Sequence, residues 1–191
     1  MSSESLRKTP KNPRRLVSLL QVAEQLFAKH GYNGVSIEML ARDAGMSKVT
    51  VYAYFHDKED IFRQVAESAC DRIRAAIEQA ANQKGTARQK IIAVLQTKDV
   101  MIYEIVRSSP HANELLAARD LYVKEYFQKF NAENERLLAR LLKQMNQEDL
   151  LVSAGRFAKL LIEVSRGLTQ GASSGNQLKR DIALVIDKLL A

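Results

Sequence analysis

The feature that most constrains this chain is a spacing. Apolar residues return every three or four positions from Leu16 to Leu189, whereas the alternation that marks a half-buried strand is hard to find anywhere. Only three prolines and eight glycines fall in 191 residues, so little interrupts that period, and an all-α fold is expected. Leu16, Leu19, Leu20, Ala23, Leu26 and Phe27 make the apolar face of a first helix that His30-Gly31 should stop. Ser36 can cap a short helix burying Ile37, Leu40, Ala41 and Ala44; Gly45 then turns the chain, and Ser47 can cap a second short helix. Asp57 opens a long segment running toward Gly85, with Glu59 and Asp60 in the first turn, where the helix dipole favours acids. A further helix carries Ile91, Leu95, Ile102 and Ile105 and should end before Pro110. From Leu115 to Met145 a short helix followed by a long one is expected. Two amphipathic segments, Phe157 to Leu168 and Leu178 to Leu189, flank a Gly171-to-Gly175 connector.

Composition excludes more than it selects. No apolar run approaches the roughly 20 residues of a membrane span, the N-terminus lacks the apolar core of a secretory signal, and the single cysteine, Cys70, cannot form an internal disulfide. A soluble, cytoplasmic protein without a membrane partner is expected. The formal charge of +7 favours a polyanion, either nucleic acid or an anionic membrane surface, and charge alone does not separate them. Part of the excess lies in residues 1–13 and just beyond, where Arg7, Lys8, Lys11, Arg14 and Arg15 face only Glu4. That leader reads as a flexible basic arm or as a solvated terminus without a partner. His30, His56, His111 and Cys70 have no ligand or triad spacing, and neither a glycine-rich phosphate loop nor a G-x-S-x-G elbow is present. No enzyme activity, metal or cofactor is expected, and Cys70 should be a small, inert, buried residue.

The most informative stretch runs from Gly34 to Phe62, with its motif at about residues 36–56. Two capped short helices flank a glycine turn, an arrangement that lets the first brace across a DNA backbone while the second enters the major groove. Met46, Val51 and Phe55 should anchor the second helix, leaving Lys48, Thr50, Tyr52, Ala53 and Tyr54 outward on a face free of acids, as a surface approaching phosphates needs. Gly45, the run Thr50-Val-Tyr-Ala-Tyr-Phe55 and the pair Lys58-Glu59 resemble the DNA-binding domain of the TetR family of bacterial transcriptional regulators, in register over residues 14–62.

The resemblance implies a three-helix DNA-binding domain over residues 14–62 and, over 63–191, a helical bundle for effector binding and dimerisation. It implies that Tyr52, Tyr54 and Lys58 hold phosphates and that Ser36 and Ser47 add contacts from helix N-termini; packing between helices is the alternative for the two tyrosines. Lys48 and Thr50, early in the recognition helix, are candidates for base edges, lysine toward guanine and threonine toward a thymine methyl. Glu38 departs from the base-reading arginine of the family's founding member, so no guanine contact is expected from the supporting helix.

Farther along only the layout resembles the family. Met101, Tyr103 and Arg107, then Tyr122, Tyr126, Phe130 and Asn134, and finally Arg166 place sulfur, aromatic or polar atoms among apolar helices and are candidates for an effector pocket, with ordinary packing or exposure the alternative for each. Leu160, Leu161, Val164 and Leu168 with Ile182, Val185, Ile186 and Leu189 would form the subunit contact that the resemblance implies, or cover the core. The partners expected are double-stranded operator DNA, a second copy of the chain and a small, largely apolar effector held between the helices of residues 86–170. A structural DNA binder without an effector is the competing expectation.

Overall fold

In a computed structural model, which describes residues 12–107, 109–145 and 152–190, capping decides where most helices start. Helix α1 (Pro13–Gly34) begins where the Asn12 side chain accepts the Arg14 amide, with Pro13 in the first turn, where its missing N–H costs nothing. Ser36 and Ser47 cap α2 (Ile37–Asp43) and α3 (Lys48–Tyr52), each accepting an amide three residues on. Asp57 caps α4 (Lys58–Asn82) by the same geometry. Thr86 and Gln89 form a reciprocal capping box on α5 (Ala87–Ile102). A π-helical turn, Tyr103–Arg107, widens the end of α5 before Pro110. Helices α6 (Ala112–Tyr122) and α7 (Lys124–Leu142) follow without side-chain caps, and Val123 ends one and starts the other. Ser153 and Ser174 cap α8 (Ala154–Gly171) and α9 (Gly175–Leu189). Among the described residues there is no strand, and no helix is long and apolar enough to cross a membrane.

The helical backbone of the first helix is interrupted by a kink at Gly31 (φ 72°, ψ 174°), where a stop was expected, and a further turn follows it to Gly34. Arg14 and Arg15, expected in the leader, lie in its first turn, while Arg7, Lys8 and Lys11 lie outside the described residues.

Two apolar clusters hold the fold. The first buries Leu19, Ala23, Leu26 and Phe27 of α1 against Leu40, Val51 and Phe55, with Ile61, Phe62 and Val65 of α4. Each full-sized side chain in it stabilises by about 1.5–3 kcal/mol. It also takes Leu115, Ala118 and Val123 from α6 and its end, so α6 is packed onto the N-terminal helices. The second cluster gathers Ile73 and Ile77 of α4 with Leu95, Phe130, Leu138, Leu161, Leu178, Ile182 and Ile186. Helix α4 therefore runs unbroken through both, and the division expected at residue 62 falls inside it.

Candidate nucleic-acid interface and an adjoining cavity

The turn between α2 and α3 starts from one backbone requirement. Gly45 has φ 63°, with nothing within 4 Å of where a Cβ would stand, and the amides of Gly45 and Met46 bond back to Arg42 and Ala41 at 3.1 and 2.8 Å, closing the last turn of α2. Only Val51 of α3 is buried, which turns the rest of that short helix outward. Ser47 Oγ accepts the Thr50 amide at 3.1 Å and lies 2.9 Å from Thr50 Oγ1. Ser36 Oγ accepts the Met39 amide at 3.2 Å. Both serines thus act first as caps, and Thr50 holds its hydroxyl against one of them.

Lys48 and Tyr52 are exposed, Tyr52 to 55%, and Tyr54 is half-buried against the N-terminal cluster. Lys58, at the start of α4, lies with its ammonium 4.6 Å from the centre of the Tyr32 ring, a cation–π contact that limits its wandering. Asp60 fixes the corner between α3 and α4 by accepting the His56 amide at 3.0 Å and Gln64 Nε2 at 3.0 Å, and by pairing with Arg63. Burial pushes the Asp60 carboxyl up, but these hydrogen bonds and the Arg63 charge outweigh it, and its pKa lies below the ordinary aspartate value.

Two features of this face differ from the sequence expectation. It is not free of acids: the Glu38 carboxylate, on α2, pairs with the Lys48 ammonium, and the Lys48 hydrogen bond is the largest of the causes that hold its pKa down at about 2. The other is Val49, the most outward large side chain of α3 at 81% exposure, which sequence reasoning passed over. Its signal was positional, since it sits two residues before buried Val51 and four before exposed Ala53 on a helix with a period of 3.6.

Beyond the interface, a cavity of about 110 Å³ opens between α1, α4 and α6. Phe27 and Ala28, then Phe62, Ala66, Ala69 and Cys70, then Leu115 and Leu116 line it, together with Ile102, Ile105, Val106 and Phe127. Burial pushes the Cys70 thiol up to about 11. None of the eight candidate pocket residues lines this cavity, although much of its wall, from Ile102 to Phe127, falls in the stretch of residues 86–170. Tyr122 packs on the Tyr32 ring at 5.2 Å. The Tyr126 hydroxyl donates to Asp71 at 2.6 Å, and Phe130 stacks on Phe127. Met101 and Tyr103 pack on the second cluster, Arg107 donates to the Gln170 carbonyl at 3.4 Å, and Arg166 lies exposed beside Glu163. Asn134 is buried, with its Nδ2 unpartnered among the described residues.

Helix α6 and the turn before it are fastened to α1 on either side of the Gly31 kink. Ser109 Oγ donates to the Ala28 carbonyl at 2.6 Å, and the Glu114 carboxylate accepts the Asn33 amide at 2.5 Å. Such a two-point clamp satisfies backbone groups beside a helix break, where the regular ladder is interrupted.

On α8 and α9 the expected subunit contact divides. Leu161, Ile182 and Ile186 are fully buried in their own chain's core and have no surface to offer a partner. Leu160 and Leu189 are 47% and 46% exposed, with Val164, Leu168 and Val185 half-buried.

Residues 19–65 match the family model described as bacterial regulatory proteins, tetR family. The fatty acid metabolism regulator protein of Bacillus subtilis is 27% identical over 81 residues, 42% of this chain and 42% of its own length. The transcriptional repressor AcnR of Corynebacterium glutamicum is 31% identical over 68 residues, 36% of this chain and 35% of its own. The chain thus spans less than half the length of these two curated relatives. A transcriptional regulator of the TetR/AcrR family from Thermobifida fusca superposes with a TM-score of 0.70 at 21% identity, over 92% of this chain and 97% of that one, a likeness of fold.

Proposed function

We propose that this chain, whose residues 19–65 match the tetR family of bacterial regulatory proteins, is a DNA-binding transcriptional regulator of that family that works as a homodimeric, ligand-responsive repressor on a near-palindromic operator. The observation that carries the reading is the outward face of α3, held in place by buried Val51 and by the Ser47 cap. Each subunit lays α3 in the major groove, where Lys48, Val49 and Thr50 meet base edges. Ser36, Ser47, Tyr52, Tyr54 and Lys58 surround them and meet phosphates, which set register without reading sequence.

Two-fold symmetry in the protein demands matched half-sites about 34 Å apart, or a multiple of that. The exposed parts of α8 and α9 supply a self-complementary apolar strip around Leu160 and Leu189. Repression is the proposed sign of the output, as in the name of the corynebacterial relative. A structural DNA binder of the same fold needs no effector; the apolar cavity beside the α6 clamp favours the ligand-responsive reading.

Selection of bound duplexes from a random pool by the full chain tests it. Enrichment of a two-fold-symmetric motif, bound by a dimer in light scattering, is the expected result. Binding that shows no enriched motif, or a monomer on a single half-site, would overturn it.

A further inference from the structure

The regulator reading leaves open where an effector sits and what chemistry it has. Resting on that reading, we propose that the cavity between α1, α4 and α6 is the effector site, that it takes an uncharged apolar molecule about the size of one aromatic ring, and that the occupant levers α6 off the end of α1.

The charged side chains on the lining decide the ligand class. Glu24 is engaged by Arg72 at 2.6 and 2.8 Å. Arg119 is engaged by Asp120 at 2.6 Å and lies 4.2 Å above the Phe127 ring. Neither is free to receive an ion, and the Cys70 thiol is neutral at physiological pH. Everything else on the wall is apolar, so a carboxylate or ammonium entering here would lose its water without a partner in exchange. Volume sets the size: apolar protein cavities of about 150 Å³ hold benzene, and this one, at about 110 Å³, is smaller, so a single ring enters only as the walls give.

Position sets the consequence. Ala28 belongs both to the wall and to the clamp, since its carbonyl takes the Ser109 hydroxyl. Leu115 and Leu116 form the opposite wall, directly after Glu114, which holds the Asn33 amide. A molecule that pushes Leu115 and Leu116 outward draws Glu114 from Asn33 and Ser109 from Ala28. Helix α4, which contributes a third wall, begins at Lys58 in the DNA-binding face. The occupant binds the open-clamp geometry more tightly than the closed one, and operator affinity falls by the same factor.

The test uses the full chain, with benzene and toluene as probes, benzoate as the charged control and naphthalene as the size control. Benzene and toluene should raise the unfolding midpoint, and saturating toluene should weaken operator binding at least about fivefold; benzoate and naphthalene should do neither. Leu116→Ala, which enlarges the cavity, should admit naphthalene. Ala66→Leu, which fills it, should abolish the toluene effect. Glu114→Ala should still bind toluene while its operator affinity no longer responds. Benzoate acting as well as toluene would overturn the ligand class. If neither benzene nor toluene shifts the midpoint of the natural protein or of Leu116→Ala, the site is wrong even though operator binding stands. Failure of the ligand-free protein to select any operator would bring down this proposal and the regulator reading together.

Discussion

Replacing Gly31 with alanine should be far more damaging than the same change at Gly45, although both glycines have positive φ. At Gly31 the pair φ 72°, ψ 174° lies in a region that is essentially glycine's alone, and forcing a side chain into it costs about 1–3 kcal/mol. The new methyl would also stand 2.9 Å from the carboxylate carbon of Glu114, and nearer still to one of its oxygens. The carboxylate must therefore swing away and give up the Asn33 amide, a charge-assisted bond worth about 1.5–3 kcal/mol. Together these come to roughly 2.5–6 kcal/mol. At Gly45 nothing lies within 4 Å of the added carbon, leaving only the left-handed backbone cost of about 1–2 kcal/mol. Urea unfolding at one fixed protein concentration measures both, so that the comparison holds for the proposed dimer, whose stability would depend on concentration. A double-mutant cycle separates the two contributions. In a Glu114→Ala background, Gly31→Ala should cost only its backbone share, giving a coupling of about 1.5–3 kcal/mol. Equal losses at Gly31 and Gly45, or a strictly additive cycle, would refute the account of the α1–α6 clamp.

Lys58→Ala should weaken binding to all duplexes alike and lower the salt slope by about one per subunit, whereas Val49→Ala should alter the preferred bases; uniform scaling by both in a binding titration over salt and sequence would erase the distinction between positioning and reading. Asp60→Asn should destabilise the fold at neutral pH by about 1.5–3 kcal/mol. Because the Asp60 pKa is depressed in the folded state, its contribution is complete above the ordinary aspartate value near pH 4 and disappears as pH falls through the lower folded value. Unfolding curves for parent and variant should therefore converge in acid, and a gap that persisted there would assign the loss to packing. Leu160→Glu should yield a folded monomer by light scattering and circular dichroism, while Leu161→Glu, placed in the core, should unfold the chain; a dimer that survives Leu160→Glu would put the interface elsewhere.

Helices were legible in the sequence wherever a cap and an apolar period coincided. Ser36, Ser47 and Asp57 each precede such a run, and each caps a helix. The α6–α7 junction was not legible to the residue because Val123 carries no capping signal in either direction. At Gly31 the break itself was legible and its partner was not: Glu114, 81 residues from Asn33 in sequence, accepts the amide that follows the break. Contacts at that separation leave no local trace. The cavity was not legible for a related reason: its wall joins Phe27 and Phe62 to Ile102, Leu115 and Phe127, residues far apart in sequence, and an apolar period does not mark which of them faces a space. In α8 and α9, apolar period alone does not tell an inward stripe from an outward one, so Leu161 and Leu160, adjacent in sequence, had looked equivalent.

The pairing of Lys48 with Glu38 bears on how fast this protein finds its site. A lysine on a recognition helix is ordinarily a promiscuous cation that grips whichever phosphate passes and slows travel along the duplex. Here its charge is already answered from α2, so each chance encounter must first pull the ammonium from its own carboxylate. Random DNA offers little return for that exchange. A guanine correctly placed offers two acceptors at once, and only there does release become favourable. Glu38 should then shorten dwell times on irrelevant sequence more than on the operator, and single-molecule tracking of Glu38→Gln should show slower sliding and longer pauses at sites that regulate nothing.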